Sequence, residues 1–206
     1  MFDMYNLVMK NMIPALIVVL LILIAFQSFM VMSTSNIEKQ KYEVVKKEKD
    51  FEIRFYPSAT LATIKSSAKS YRELASSGFR KIAGYIFGNN EASAKIAMTS
   101  PVHMDINDSE SSMSFVMPSK YDINSLPKPN DAKVELKESP AEYVAAIEFG
   151  GYANDSTIKK YAEQLRKSLD EKGIKSIGNF RYLGYNPPYQ LIGRKNEVIV
   201  TVEWKQ

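Results

Sequence analysis

SYRELASSGFRKIAGYIF, residues 70–87, decides how this chain is put together. Tyr71, Leu74, Ala75, Gly78, Phe79, Ile82, Ala83, Ile86 and Phe87 recur at alternating steps of three and one, which lays a single apolar stripe along a helix. Gly88-Asn89-Asn90 follow, residue types that accept a left-handed backbone, and they predict the helix end. Strand signals stand on both sides. Upstream, 42–47, 51–56 and 59–65 read as strands; in the second, Phe51, Ile53 and Phe55 alternate with Glu52, Arg54 and Tyr56, the period of a half-buried strand. Downstream, 95–98, 102–106 and 113–117 read the same way.

The order then repeats. Strands at 133–138 and 143–149 precede a helix over 155–172, capped by Asn154 or Asp155, with Ile158, Tyr161, Ala162, Leu165 and Leu169 facing inward and Gly173 as the stop. Strands at 180–185 and 198–204 close the chain. The two halves share this pattern without sharing sequence. Such units can join their sheets into one curved or barrel-like structure with two outer helices, an α+β architecture.

Ahead of this lies IPALIVVLLILIAFQSFMVM, residues 13–32, without a charge. As a helix it would be about 30 Å long, the thickness of a bilayer core. Signal-peptide apolar regions are typically about 7–15 residues, so the run is read as an anchor, with cleavage left open. The expected organisation is a short tail (1–12), a transmembrane anchor (13–32), a linker (33–41) and a globular domain (42–206). Lys39, Lys41, Lys46 and Lys47 after the run, against Lys10 before it, favour a cytoplasmic domain by the positive-inside rule without deciding the side. The lipid bilayer is thus one expected partner.

Composition removes several chemistries. The chain has no Cys, so disulfides, thiolate nucleophiles, iron–sulfur clusters and covalent c-type haem are excluded. It has one His, His103, so a His-rich metal site cannot form. A net charge of +4 without an aromatic-interleaved basic patch gives no reason to expect nucleic acid. No nucleophile elbow, phosphate loop or metal-ligand spacing is present. The strand carboxylates Glu148 and Glu203 read as solvated or ion-paired, so an enzyme is not expected.

The segment Lys95-Ile96-Ala97-Met98-Thr99-Ser100-Pro101-Val102, after the first helix, resembles the MTxPV stretch of the SOUL haem-binding proteins. Tyr85-Ile86-Phe87-Gly88-Asn89, Met117-Pro118-Ser119-Lys120-Tyr121 and Phe149-Gly150-Gly151-Tyr152 are similar to family elements in the same order. So are Gly184-Tyr185-Asn186-Pro187-Pro188 and Gly193-Arg194-Lys195-Asn196-Glu197-Val198. The resemblance implies a distorted β-barrel built from two pseudo-symmetric strand-helix-strand halves. It also implies a haem or other tetrapyrrole, held non-covalently in an apolar cleft between the first helix and the loop joining the last two strands.

For this chain the expected walls are Phe79, Ile82, Ala83 and Ile86 on the helix and Tyr189 and Leu191 on the loop, with Arg80, Lys81 and Arg194 as cations for propionates. The ordinary reading of the same helix stripe is core packing. Gly84 and Gln190 stand where some family members carry basic residues. His103 is a candidate axial ligand for iron, although its strand position points away from that helix; adjacent Met104 faces oppositely, and Tyr189 is a weaker candidate. The expected function is reversible tetrapyrrole binding at a membrane for buffering, trafficking or sensing. The alternatives are a tethered domain binding another apolar molecule or a protein partner, and a hydrolase on the same scaffold. The sequence names no protein partner.

Overall fold

The computed structural model describes residues 2–35, 37–107 and 109–205. Helix α1 (Phe2–Ser35) leads, and residues 36–37 alone separate it from β1 (Glu38–Lys39). Then come β2 (Glu43–Lys47), β3 (Glu52–Tyr56), β4 (Ala59–Ser66), α2 (Tyr71–Ile86), β5 (Thr99–Ser100), β6 (Val102–Asp105) and β7 (Ser111–Val116). The second half supplies β8 (Val134–Ser139), β9 (Glu142–Gly150), α3 (Asp155–Glu171), β10 (Ser176–Gly184) and β11 (Lys195–Val202).

Nine strands form one curled sheet in the order β2-β3-β9-β11-β10-β6-β7-β4-β8. From the centre outward, β10, β11, β9 and β3 mirror β6, β7, β4 and β8. This is the pseudo-symmetry of two halves meeting at the β10–β6 pair. Their leading strands are exchanged: β3 precedes β4 in the chain but pairs with β9, and β8 precedes β9 but pairs with β4. The barrel is not closed, because β2 and β8 end the order as edges.

Each helix is set by local chemistry. Ser70 caps α2 by accepting from Glu73 N at 3.3 Å, and the Glu73 carboxylate accepts from Lys69 N at 2.9 Å. Gly78 lets α2 lie close to the sheet: a Cβ there would stand 3.0 Å from Ile64 Cδ1 and 3.3 Å from Met113. Asn154 caps α3 by accepting from Thr157 N at 2.9 Å, and Leu165 and Leu169 bury its inner face. Helix α2 packs on β4 and β7, and α3 on β9, β10 and β11.

Two sequence expectations change. Residues 95–98 form no strand; Asn90 donates to Tyr85 O and Ala94 O and accepts from Ala94 N, while Ile96 N bonds Ile86 O. That backbone is held by one side chain and a helix end instead of a ladder. The linker expected over 33–41 is partly structure. Strand β1 runs parallel to β5, Gln40 N bonds Ser100 O at 2.8 Å, and the Glu38 carboxylate accepts from Ser119 N at 2.9 Å.

The sheet face away from α2 and α3 carries a buried polar network. Glu197 is 0% exposed, with Arg54 Nη1 at 2.9 Å, Tyr185 OH at 2.7 Å and Lys195 Nζ at 2.9 Å. Burial opposes the Glu197 charge, but the bond and charge of Arg54, with Lys195 adding to them, outweigh it and hold the carboxyl below its ordinary range.

Candidate functional site

Strand register builds the helix-side floor. Directly opposed residues share a face, so Met113, Met104, Tyr182, Val198 and Ile147 form one row across five strands. Phe115, Val102, Gly184, Asn196 and Phe149 form the next. With the helices seated on the flanking strands, β6 and β10 run beneath the space between them.

A cavity of about 320 Å³ opens there between α3 and the central strands. Met104, Ile106, Phe180 and Tyr182 line it from the sheet, and Ile158 and Ala162 from α3. Asp155, Lys159, Arg166, Gly178 and Asn179 complete the lining, all five exposed. The floor is stiffened by aromatic contacts. Tyr71 meets Tyr182 edge-on at 5.2 Å, Phe149 stacks on Tyr161 at 4.3 Å, and the Arg166 guanidinium lies 5.0 Å over the Phe180 ring. Tyr182 OH donates to Asn196 Oδ1 at 2.6 Å, and burial pushes the Tyr182 phenol far above its ordinary range, so it stays neutral. Tyr71 N donates to Asp155 Oδ1 at 2.6 Å, joining the starts of the two helices. An apolar, aromatic recess edged by Lys159, Arg166 and the Asp155 carboxylate suits a flat hydrophobic ligand with polar groups at its rim.

The residues expected from sequence distribute differently. Ile82, Ala83 and Ile86 are buried, and none of them lines the cavity between α3 and the central strands. Phe79 is 37% exposed, with its ring 5.2 Å from Phe115 in the row that crosses Val102 to Gly184. Arg80 is exposed. Tyr189 and Leu191 are exposed on the loop after β10, beside α1, where Leu191 N donates to Gln27 Oε1 at 3.1 Å. Arg194 is no free rim cation: it donates to Pro187 O at 2.7 Å and Gln190 O at 2.9 Å and lies over the Tyr152 ring at 4.4 Å.

His103 is paired in register with Leu183 and Ser114, on the face opposite Met104, and its Nε2 is 2.7 Å from Gln40 Oε1. It does not face the cavity, so axial ligation there is set aside. Met104 was legible only as the strand neighbour facing opposite to His103, Tyr182 only as part of the 180–185 strand, and Ile158 and Ala162 only as a helix stripe. Periodicity does not separate a core wall from a cavity wall.

Burial, with the nearby Arg181 charge adding to it, pulls the His103 imidazole down to about 3. Below its ordinary value of about 6.5 the unfolded chain takes up a proton that the folded chain refuses. Stability therefore falls as pH drops from 6.5 toward 3. Thermal or urea unfolding should show up to about 2 kcal/mol of such loss between pH 7 and pH 5, and His103→Gln should remove it. An equal pH response in both proteins would contradict the assignment.

Fold and groove together define an α+β module made of two sheet-and-helix halves, with a recess between α3 and the central strands. A family model described as SOUL heme-binding protein matches residues 37–201, and the chain belongs to that family. It is 29% identical over 174 residues to Heme-binding protein 1 of Xenopus laevis, covering 79% of this chain and 91% of that protein. It is also 29% identical over 161 residues to Heme-binding protein 1 of Mus musculus, covering 74% and 84%. Among solved structures, the EcmrR C-terminal domain superposes with a TM-score of 0.56 over 75% of this chain and 98% of that one; at 9% identity the likeness is one of fold.

Proposed function

We propose that this protein is a membrane-anchored tetrapyrrole-binding protein that holds haem reversibly in the cavity between α3 and the central strands. The observation that carries the reading is the lining of that cavity: Met104, Ile106, Ile158, Ala162, Phe180 and Tyr182 against the plate, with Lys159 and Arg166 at the edge for propionates. Membership of the SOUL heme-binding family supports the ligand class. Without Cys a c-type thioether attachment is impossible, which supports non-covalent binding. At about 320 Å³ the cavity is near the small end of ligand pockets, so a porphyrin keeps an edge in solvent, which suits transfer over permanent storage. Met104 is the soft donor on the cavity side.

The anchor reading is supported by Met12–Ser33, a 22-residue helical span of mean hydropathy 2.8 with no buried residue. Intact mass of the protein extracted from host membranes separates an anchor from a cleaved leader. For the ligand, hemin is titrated into the full chain in lipid nanodiscs. A Soret band saturating at one equivalent is expected; absence of any saturable spectral change at micromolar hemin refutes the reading.

A further inference from the structure

Residues 187–193, Pro-Pro-Tyr-Gln-Leu-Ile-Gly, carry no charge and expose Tyr189, Leu191 and Ile192 at 56%, 60% and 67%. An apolar tip of this kind in water is unfavourable without a partner. Its position identifies the partner. Leu191 N donates to Gln27 Oε1 at 3.1 Å, and Gln27 Nε2 lies 3.5 Å from Tyr189 O. Gln27 is six residues inside the Ser33 end of the apolar span, roughly 9 Å along the helix axis. A loop that meets α1 at that depth lies below the surface of a bilayer filled by the Met12–Ser33 span.

The loop is also built as such a site requires, because polar backbone in lipid must find partners within the protein. Gln190 donates to Ile192 O at 2.9 Å, Arg194 donates to Pro187 O, and Tyr152 OH donates to Pro188 O at 3.4 Å. The two prolines have no N–H to satisfy. Residues 36–37 alone link α1 to β1, and β1 is itself hydrogen-bonded to the domain, so the tether holds the domain against the helix end.

The geometry points to the 187–193 loop as a second membrane-inserting element, seated among lipid chains beside α1 with Tyr189, Leu191 and Ile192 as its lipid contacts. This rests on the anchor reading above. The partner is the bilayer itself, and the one cation at the loop, Arg194, is taken up by the carbonyls of Pro187 and Gln190.

The Cys-free chain allows single-site labelling. Leu191→Cys, Leu20→Cys in the middle of the span, and Glu171→Cys, at the last residue of α3, are labelled with a nitrobenzoxadiazole fluorophore in phosphatidylcholine nanodiscs. Far-ultraviolet circular dichroism checks that each is folded. With nitroxide-bearing lipid present, the Leu191 and Leu20 probes should both be quenched at least about threefold more than the Glu171 probe, with blue-shifted emission. Quenching at Leu20 but not at Leu191 overturns the loop's insertion and leaves the anchor standing. Quenching at neither site overturns both.

Discussion

Replacing Arg54 with Ala is expected to destabilise the domain by roughly 3 kcal/mol, the low end of the cost of stripping one partner from a buried ion pair. The reason is the position of Glu197, which has no exposed surface and takes its closest guanidinium bond from Arg54 at 2.9 Å. Lys195 remains as a second cation at 2.9 Å and Tyr185 still donates, so the carboxylate is not abandoned entirely. For a domain of this size the loss corresponds to a fall of roughly 6–12 °C in melting temperature. Removing both charges together, as Arg54→Leu with Glu197→Leu, should recover most of that loss, because a buried pair gives little net stability over apolar replacements. Urea or thermal unfolding checks both. A single variant within 1 kcal/mol of the parent would show that Glu197 reaches water.

The largest effect on binding is expected from Ala162→Trp. Ala162 lies on the α3 wall of the cavity and is half-buried, so an indole there occupies the volume offered to a porphyrin. Hemin affinity should fall at least tenfold, about 1.4 kcal/mol, while circular dichroism stays that of the parent. Phe79→Ala, on α2 and outside the cavity lining, should change the dissociation constant less than about threefold. The reverse pattern would put the ligand at the α2 and double-proline end. Hemin titration of the two variants side by side decides between these places.

Much of the architecture was readable in the residues. The stripe from Leu74 to Ile86, the caps at Ser70 and Asn154 and the alternation of Phe51, Ile53 and Phe55 are local signals, and they fixed helices and strands closely. The doubling of strand, helix and strands announced the pseudo-symmetry. The exchange of β3 and β8 was not visible, because pairing partners far apart in sequence leave no trace in either strand. The site was harder. Ile82, Ala83 and Ile86 could be read as cleft walls or as core, because core and cavity use the same side chains. Arg194 looked like a free cation because nothing local says that its guanidinium holds the carbonyls of Pro187 and Gln190. Met104, beside the chemically conspicuous His103, faces the cavity only because of the parity of a strand.

The crossed leading strands also bear on how the protein is made. Strand β4 lacks its outer neighbour until residue 139 has left the ribosome, and β3 waits for β9. The amino-terminal half alone therefore presents raw sheet margins and cannot finish its own core. The contacts that complete the fold are distant in sequence, which favours slow assembly and an interval of vulnerability to aggregation. Severing the chain between the halves would yield two pieces that each need the other, so the pair behaves as one indivisible folding unit despite its twofold look.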